Sequence, residues 1–401
     1  TATSSPLLNE IAIRAYRPDG SLAGNVQIEA ASLTQNAFLA REKFPDLSEG
    51  WLEILPSQKD LMSFTLTGDS GLTRMDGSQL APARGSRLFF PEIRNSEGET
   101  TTFFVVNPHQ SSVNVAFYWH PGGLERVLLD IRTIPARGSL RTSLEDLGST
   151  ASTGYLSLEG EDSIFAMELF GNNQATGGLL ALDGESVDSN LYGAQLASGP
   201  EVETFLSLVH TGQDEVIVSL VVRSEQGEVV ASKLQEVGPN GHLNGPVRDL
   251  VGLEEEFVEG WLSIHSLNGQ LLGSISFQDP AGRFLASLPL QSQGAREFLL
   301  SHVAQTPEIF TGVTLLNAST GTALVSVEVF TAEGVQRNAL LLELGSNQKV
   351  AFVLPEVFAG FGNQERGFIR VRSSRGIFGF GLFGRQDLEF LSAVPQQTVI
   401  N

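Results

Sequence analysis

The sequence predicts an all-β protein, a tandem array of four Ig-like antiparallel β-sandwich units of which the first is incomplete. A glycine followed by an aromatic residue opens a β-rich run at residues 50–51, 154–155, 260–261 and 367–368, which lie 104 to 107 residues apart. A spacing this regular indicates a repeat. Turn signals about every ten residues are typical of a sandwich or barrel and not of a βαβ fold.

Composition and charge limit the class of protein. The chain has 401 residues, 41% of them hydrophobic and 18% charged, so it is long enough for several cores and too apolar to be largely disordered. Its 25 basic and 46 acidic residues give a net charge of −21, which argues against nucleic acid or an anionic membrane as a partner. The absence of cysteine excludes disulfides and thiolate metal sites.

The repeat divides the chain into four units, at residues 1–84, 85–185, 186–291 and 292–401. The linkers between them are short, at residues 81–85, 185–190 and 291–294. Linkers of this length favour units that are held close together. Residues 1–5 are typical of a processed or trimmed start.

The second unit shows the strand plan most clearly. Its β-rich runs cover residues 88–90, 100–106, 113–119, 126–134, 163–170 and 178–182, with a further run opened by 154–155. Turns are predicted at 107–110 and 120–123, and a single helical turn at 143–147. This is the pattern of seven short strands in an antiparallel sandwich.

The third and fourth units repeat this plan with different residues. In the third unit the matching segments are 203–209, 216–223, 247–250 and 271–277. In the fourth they are 312–316, 324–330, 355–358 and 377–383. The segments 247–250 and 355–358 take the place of the helical turn.

The first unit lacks a leading pair of strands. Its first β-rich run, residues 11–16, matches 113–119 of the second unit, so four bodies share three leading pairs. Three explanations stay open: a leading segment was removed, something outside the chain completes the unit, or the unit caps itself differently. A sheet left short exposes unpaired backbone and is a pairing site for another strand.

Two sets of residues are expected to hold the repeat together. The aromatic residues of the four glycine-aromatic pairs are predicted core anchors: Trp51, Tyr155, Trp261 and Phe368. In the next strand, small residues fall at one repeat position: Ser63, Ala166, Gly273 and Gly379. A small side chain there lets a neighbouring backbone approach closely.

No motif predicts a catalytic site. Residues 67–71 resemble the nucleophile loop of chymotrypsin-like proteases, but Leu72 and Thr73 follow where that family has Gly-Pro, and no histidine precedes Ser70. The six histidines have no metal-ligand spacing. The acidic clusters at 159–162 and 254–256 lack the alternating ligands of a calcium loop, so the sequence predicts no cofactor, with loose surface calcium sites as the alternative. Asn317 begins a glycosylation sequon that its position in a turn also explains.

Trp119 and His120 are the candidate ligand platform. They end a strand beside a proline-glycine turn, where an exposed indole ring could stack on a sugar. The other interpretation is that Trp119 fills the core, because the matching positions of the other units are apolar.

The strand plan, the Asn-Pro turn after an apolar strand, the short helical turn and the glycine-aromatic strand together resemble the tandem β-repeats, about 100 residues long, of large secreted bacterial surface proteins. The resemblance implies an extracellular or cell-surface protein without enzymatic activity. We therefore expect a self-assembling fibre, surface-layer or scaffold subunit whose partners are copies of itself or other surface proteins. The alternative is an adhesive or glycan-binding module.

Two expectations concern shape and assembly. Closely coupled units should form a stiff rod or arc. The incomplete first unit should be the place of assembly, with residues 1–30 lying against a neighbouring chain or a partner.

Overall fold

A computed structural model describes residues 8–58, 61–69, 74–80, 85–96, 98–122, 125–254 and 258–398. The protein is all-β, with antiparallel strands in every sheet and three helices of four or five residues. This confirms the predicted fold class. We describe the strands in four groups that follow the sequence repeat.

Group 1 is a three-stranded sheet followed by a hairpin. Its elements are β1 (Asn9–Tyr16), β2 (Leu22–Ala30), α1 (Ala40–Lys43), β3 (Trp51–Pro56), β4 (Phe64–Gly68) and β5 (Met75–Gln79). The sheet has the order β2-β1-β3, and β4 pairs with β5. Ile11, Ile13 and Ala15 alternate on the buried face of β1, as expected for a strand with one face on a core.

Group 2 has two sheets that share one long strand. Its elements are β6 (Gly85–Phe90), β7 (Thr100–Val106), β8 (Val113–His120), β9 (Val127–Ile134), β10 (Ser139–Ser143), β11 (Tyr155–Gly171), β12 (Thr176–Leu180) and β13 (Leu182–Asp183). The first half of β11 pairs with β8 and β6, and its second half pairs with β7 and β12. The core lies between the two sheets.

Group 3 has the same plan with the long strand divided in two. Its elements are β14 (Asn190–Ser198), β15 (Glu203–His210), β16 (Val216–Arg223), β17 (Val229–Val237), β18 (His242–Pro246), α2 (Val247–Val251), β19 (Val258–Ser266), β20 (Leu271–Gln278) and β21 (Leu285–Pro289). The sheets have the orders β14-β19-β16-β17 and β18-β15-β20-β21.

Group 4 again shares one long strand between two sheets. Its elements are β22 (Ala295–Leu300), β23 (Ile309–Asn317), β24 (Ala323–Phe330), β25 (Gln336–Leu344), β26 (Gln348–Val353), α3 (Leu354–Val357), β27 (Phe368–Arg385), β28 (Leu391–Pro395) and β29 (Gln397–Thr398). β27 pairs with β24 and β22 in its first half and with β23 and β28 in its second. Leu316, Phe378 and Phe380 of group 4 belong to the same buried apolar cluster as the core of group 3.

The four groups close into a ring. The last strands of the four hairpins, which we call the axial strands, are β5, β12, β21 and β28. β5 contacts β12 and β28, and β21 contacts the same two strands. The predicted rod or arc is therefore wrong, because group 4 packs against group 1 as well as against group 3.

The same backbone hydrogen bond recurs between neighbouring groups. The amide of Ser139 in group 2 donates to the carbonyl of Pro18 in group 1, at 3.0 Å. The amide of Lys349 in group 4 donates to Glu225 in group 3, at 2.9 Å. The amide of Gln35 in group 1 donates to Ala332 in group 4, at 2.8 Å. The contact between groups 4 and 1, which closes the ring, therefore has the same backbone hydrogen bond as the contacts between groups 1 and 2 and between groups 3 and 4.

Several expectations fall on residues outside the described ranges. These are the processed start at residues 1–5, most of the linker at 81–85, Ser70 and the end of the protease-like loop, and two of the three glutamates at 254–256. The helical turns expected near 247–250 and 355–358 are α2 and α3. The corresponding stretch of group 2, residues 144–148, is a turn without a helix.

Candidate functional site

The axis of the ring holds a buried polar site. In the four hairpins, Thr67, Phe170, Phe277 and Phe383 stand opposite Asp76, Gly177, Ala286 and Ser392. These last four are equivalent positions on the axial strands. One of them carries a carboxylate, and the other three carry small side chains.

Four equivalent backbone amides converge on the carboxylate of Asp76, one from each group. Its Oδ1 accepts hydrogen bonds from the amides of Gly77 at 2.8 Å and Ala393 at 2.9 Å. Its Oδ2 accepts from Gly178 at 2.9 Å and Ser287 at 3.0 Å. Each donor follows directly after the axial position of its own hairpin. A single side chain therefore joins all four groups.

Burial and hydrogen bonding act on Asp76 in opposite directions. Its side chain is 2% exposed, and this desolvation raises its pKa to about 7 even though the four backbone N–H bonds act to lower it. Each oxygen accepts from two N–H groups, which offsets part of the cost of burying the charge. The four amides form an anion-binding nest that the protein fills with its own carboxylate.

Space at the axis is limited. A Cβ atom placed on Gly177, one of the three small axial positions, would lie 2.9 Å from the ring of Phe170 and 3.0 Å from Leu285. The donor position next to Asp76 is also tight, since a Cβ atom on Gly77 would lie 2.6 Å from the carbonyl oxygen of Ala393. The sequence carried a signal of this arrangement, because an aspartate stands at a repeat position that is otherwise glycine, alanine or serine.

The glycines of the glycine-aromatic pairs are required by a close approach of the backbone. A Cβ atom on Gly50, Gly154, Gly260 or Gly367 would lie 1.9 to 2.3 Å from a carbonyl oxygen of the neighbouring strand. Three of them also have φ between 129° and 150°, which favours glycine. The glycine-aromatic pairs therefore mark equivalent positions of the repeat, and this close strand contact explains why each pair begins with glycine.

The four anchors lie where the groups meet. Tyr155, Trp261 and Phe368 are at most 5% exposed, and Trp51 is partly exposed. Each anchor has a planar partner from the end of the adjacent strand. Tyr16 stacks on Trp51, His120 on Tyr155 and Phe330 on Phe368, with ring centroids 4.2 to 5.0 Å apart, and the guanidinium of Arg223 lies 5.7 Å from Trp261.

Three anchors donate a hydrogen bond to the next group. Trp51 Nε1 donates to the carbonyl of Arg137 at 2.9 Å, Tyr155 Oη to Asn240 at 3.1 Å, and Trp261 Nε1 to Asn347 at 3.1 Å. The three acceptors have positive φ, so each turn is bent to present its carbonyl. The sequence pattern predicts core packing for the anchors and does not reveal this polar role.

Phe368 has no donor, and Gln35 supplies the bonds at that contact. Its Oε1 accepts from the amide of Gly367 at 2.7 Å, and its Nε2 donates to the carbonyls of Gly367 and Ser301. Leu33, with φ of 61°, occupies the turn position of Arg137, Asn240 and Asn347. The ring is thus closed by a glutamine where the other contacts use an aromatic donor.

Trp119 and His120 are buried, at 5% and 1% exposed. Trp119 belongs to the core of group 2. His120 Nε2 lies 2.8 Å from the hydroxyl oxygen of Ser157, and burial lowers its pKa to about 4, with smaller contributions from Arg126 and Arg87. Neither ring presents a face to a sugar in this structure.

Ion pairs and buried carboxyls add to the contacts between groups. Lys349 Nζ is fully buried and lies 3.1 Å from Glu225 and 3.3 Å from Glu259 in group 3. Arg137 of group 2 pairs with Glu53 of group 1 at 2.8 Å. Between groups 2 and 3, Glu92 accepts a hydrogen bond from Ser276. These contacts stabilise the arrangement of neighbouring groups. None of them places a reactive side chain in an open cleft.

Two other sequence features have structural roles. The Asn317 side chain is fully buried and donates to the carbonyl of Gly321 in its own turn and to those of Leu344 and Gly345 at the end of β25, and Asn107 makes the equivalent three bonds in group 2. The small residues of the next strand allow close strand packing. A Cβ on Gly273 would lie 2.5 Å from the carbonyl oxygen of Ser207.

Comparisons with known proteins add little. No family model matches the chain, and no curated protein matches it. Among solved structures, the chain aligns with a Streptomyces avermitilis alpha-L-rhamnosidase complexed with L-rhamnose at 10% identity and a TM-score of 0.12. The alignment covers 96% of this chain and 54% of the rhamnosidase chain, so this chain spans about half the length of that protein. A similarity this low carries no argument.

The described residues contain no group of three or more histidine, cysteine, aspartate or glutamate side chains arranged to hold a metal ion. Within the same residues, every helix is too short to cross a membrane.

Proposed function

We propose that the chain is a non-enzymatic structural subunit of an assembly outside the cell, such as a fibre, a surface layer or a scaffold. The observation that supports this most is the ring itself. In the described chain, Asp76, Gln35 and the three hydrogen-bonding anchors all join one group to another. A chain whose specific polar contacts join its own groups into a closed ring is suited to serve as a rigid building block.

The block presents four equivalent strand edges. β2, β9, β17 and β25 each end a sheet, and each carries an exposed apolar side chain. The exposed fractions are 54% for Leu22, 56% for Ile131, 68% for Leu234 and 81% for Leu341. Open edges with apolar side chains favour strand addition and sheet packing between subunits. The repeat thus offers the same contact at four places around one block.

Net charge opposes assembly and makes it dependent on salt. Copies with a charge of −21 repel one another, and an ionic strength near 0.15 M screens that repulsion beyond about 8 Å. Short-range burial of the edges is then favoured, at about 25 cal/mol per Å² of apolar surface. We expect association to strengthen with added sodium chloride and with divalent cations.

Sedimentation velocity across a salt series tests this function. We expect larger species as ionic strength rises, and their loss in a variant carrying both Leu234→Glu and Leu341→Glu. Leu267→Glu is the matched control, because Leu267 is 87% exposed but lies in the turn between β19 and β20. A monomer at every salt concentration would contradict the proposal.

A further inference from the structure

The geometry points to a buried calcium site between groups 2 and 3. Its side chains, which we call the oxygen cluster, are those of Glu92, Glu168, Ser274 and Ser276. The inference goes beyond the proposed function, because it assigns a ligand to the block and does not depend on self-assembly. The site has two carboxyl groups and two hydroxyls, so it differs in kind from the larger acidic or histidine clusters that the described residues lack.

The oxygen cluster is buried and incompletely hydrogen-bonded. Glu168, Ser274 and Ser276 are at most 1% exposed, and Glu92 is 4% exposed. Both carboxyl oxygens of Glu168, Oε2 of Glu92 and Oγ of Ser274 have no hydrogen-bond partner among the described residues. Buried polar atoms are nearly always paired with protein, water or an ion. Four unpartnered oxygens in one cluster therefore indicate a ligand that binds oxygen atoms.

Contacts and charges bring these side chains together. Oγ of Ser276 donates to Oε1 of Glu92 at 2.9 Å. Burial raises the pKa of Glu168 well above its ordinary value, and the negative charge of Glu92 raises it further, so the two carboxyl groups are close neighbours. Ser274 lies two residues before Ser276 in β20, so both side chains point to the same face of that strand.

Group 4 has an equivalent of Glu92. A threonine hydroxyl bonds to both the amide and the carbonyl of Arg94 in group 2, and another makes the same two bonds to Ala304 in group 4. Glu92 lies two residues before Arg94, and His302 lies two residues before Ala304. Glu92 and His302 therefore occupy the same place in their groups.

Aromatic rings fill this place at the contact between groups 4 and 1. His302 stacks on Phe64 of β4 with centroids 6.2 Å apart, and it lies edge-on to Phe383 at 4.5 Å. By its position in the hairpin, Phe64 is the equivalent of Ser274, so Glu92 and Ser274 occupy neighbouring positions. The same place is filled by rings between groups 4 and 1 and lined by oxygen atoms between groups 2 and 3.

The other members of the oxygen cluster also depart from the repeat. Glu168 stands at the position of Ile275 in group 3 and of Gly381 in group 4. Ile275 is 2% exposed and belongs to the core of its group. Ser276 stands where group 4 has Leu382. The strand plan therefore requires neither the carboxyl group nor the hydroxyl at these positions.

Charge favours a divalent cation. Arg94 pairs with Glu92 at 2.8 Å and with Glu99 at 3.4 Å. These two carboxylates, that of Glu168 and the one guanidinium have a net charge of −2 when all are ionised, which one divalent cation neutralises. Calcium takes oxygen ligands in flexible geometry, whereas magnesium requires a near-ideal octahedron and keeps several waters. We therefore assign calcium, with both oxygens of Glu168 and Oε2 of Glu92 as ligands.

Calorimetric titration of the intact, calcium-free chain with calcium chloride tests the proposal. We expect one saturable site per chain, with magnesium chloride at least about tenfold weaker. Glu168→Ile, which places the residue of group 3 at this position, should weaken calcium binding at least about a hundredfold. Glu161→Gln is the matched control, because Glu161 is exposed in the acidic cluster at 159–162, and it should leave binding unchanged.

Thermal unfolding gives a second readout. Calcium should raise the melting temperature of the wild type and leave that of Glu168→Ile unchanged. Without calcium, Glu168→Ile should melt no lower than the wild type, because it removes a buried carboxyl group that has no partner. If that variant does not fold, Ser274→Ala takes its place and should weaken calcium binding about tenfold.

Four results would overturn the proposal. They are no saturable calcium binding, unchanged binding in the Glu168 or Ser274 variant, equal weakening in Glu161→Gln, or equal affinity for magnesium. A chain that stays monomeric at every salt concentration but binds calcium would overturn the proposed self-assembly alone. The two failures are therefore distinguishable.

Discussion

Groups 1 and 3 share a repeat but use it differently. Group 3 has two four-stranded sheets around a core that includes Leu206, Val218 and Trp261. Group 1 has a three-stranded sheet and a hairpin, and its fully buried apolar residues are Ile11, Ile13, Ala15 and Phe44. Group 1 nevertheless keeps the glycine-aromatic strand and the axial hairpin. The features common to both are those that build contacts between groups.

The comparison teaches that group 1, whose own core is small, is stabilised by its contacts with the other groups of the ring. Group 1 contacts group 2 through Trp51 and Pro18, and group 4 through Gln35. It also contributes Asp76, which bonds to all three other groups. A small sheet with a small core is marginal by itself. Its place in the ring compensates for this.

The largest effect is expected at the axis. Asp76→Asn puts an amide NH₂ group against two backbone N–H donors, so it loses acceptors and adds a buried donor without a partner. We expect the free energy of unfolding to fall by about 3–5 kcal/mol, measured by urea denaturation. Asp19→Asn in the exposed turn after β1 is the control and should change the free energy of unfolding far less. An equal loss of stability in both variants would contradict the central role of Asp76.

The next prediction compares equivalent leucines of groups 3 and 1. Leu262→Ala removes a side chain that is 1% exposed and should cost about 3 kcal/mol. Leu52→Ala at the equivalent, partly exposed position should cost about 1 kcal/mol. Chemical denaturation of both variants checks this. Equal losses would show that group 1 is as well packed as group 3.

A smaller effect is expected from pH at His120. Its folded pKa of about 4 lies below its ordinary value of 6.5, so the unfolded chain binds more protons between these values. Its contribution to stability is therefore present above about pH 6.5 and lost as the pH falls toward 4. Asp76, whose pKa is raised from 3.8 to about 7, acts in the opposite sense, since its contribution is lost as the pH rises through that window.

His120→Phe isolates the histidine. Group 4 has Phe330 at this position, so the stacking on Tyr155 should be kept. Between pH 7 and pH 4.5 the wild type should lose about 2 kcal/mol more than the variant, measured by urea denaturation at both pH values. Parallel pH profiles would show that His120 is not buried in its neutral form.

The smallest effect is expected at the contact that closes the ring. Gln35→Ala removes side-chain bonds to Gly367 and Ser301 and should cost about 1.5 kcal/mol. Asn36→Ala, at the exposed neighbouring residue, should cost less than about 0.5 kcal/mol. Thermal unfolding of the two variants separates them. No difference would indicate that groups 4 and 1 are not in contact in solution.

The strands could be predicted from the sequence, but the closing of the four groups into a ring could not. Turn signals and alternating apolar residues are local, so the β-rich runs and the glycine-aromatic strands could be found from the chain alone. The ring depends on residues more than 300 positions apart, such as Asp76 and Ala393, and no local pattern reports such a pair. The sequence offers His120 as part of a candidate ligand platform, and its stacking on Tyr155 can be recognised only by comparing Tyr16, Arg223 and Phe330 at the same position.

Small-angle X-ray scattering of the monomer at low salt tests the closed ring most directly. A compact chain of 401 residues should have a radius of gyration of about 22 Å, and a ring of four groups should stay within a few ångströms of that value. Four units of about 100 residues in a line would give about 40 Å. We predict a value below about 27 Å. A value near 40 Å, with the scattering of an elongated particle, would contradict the ring and the role of Asp76 at its axis.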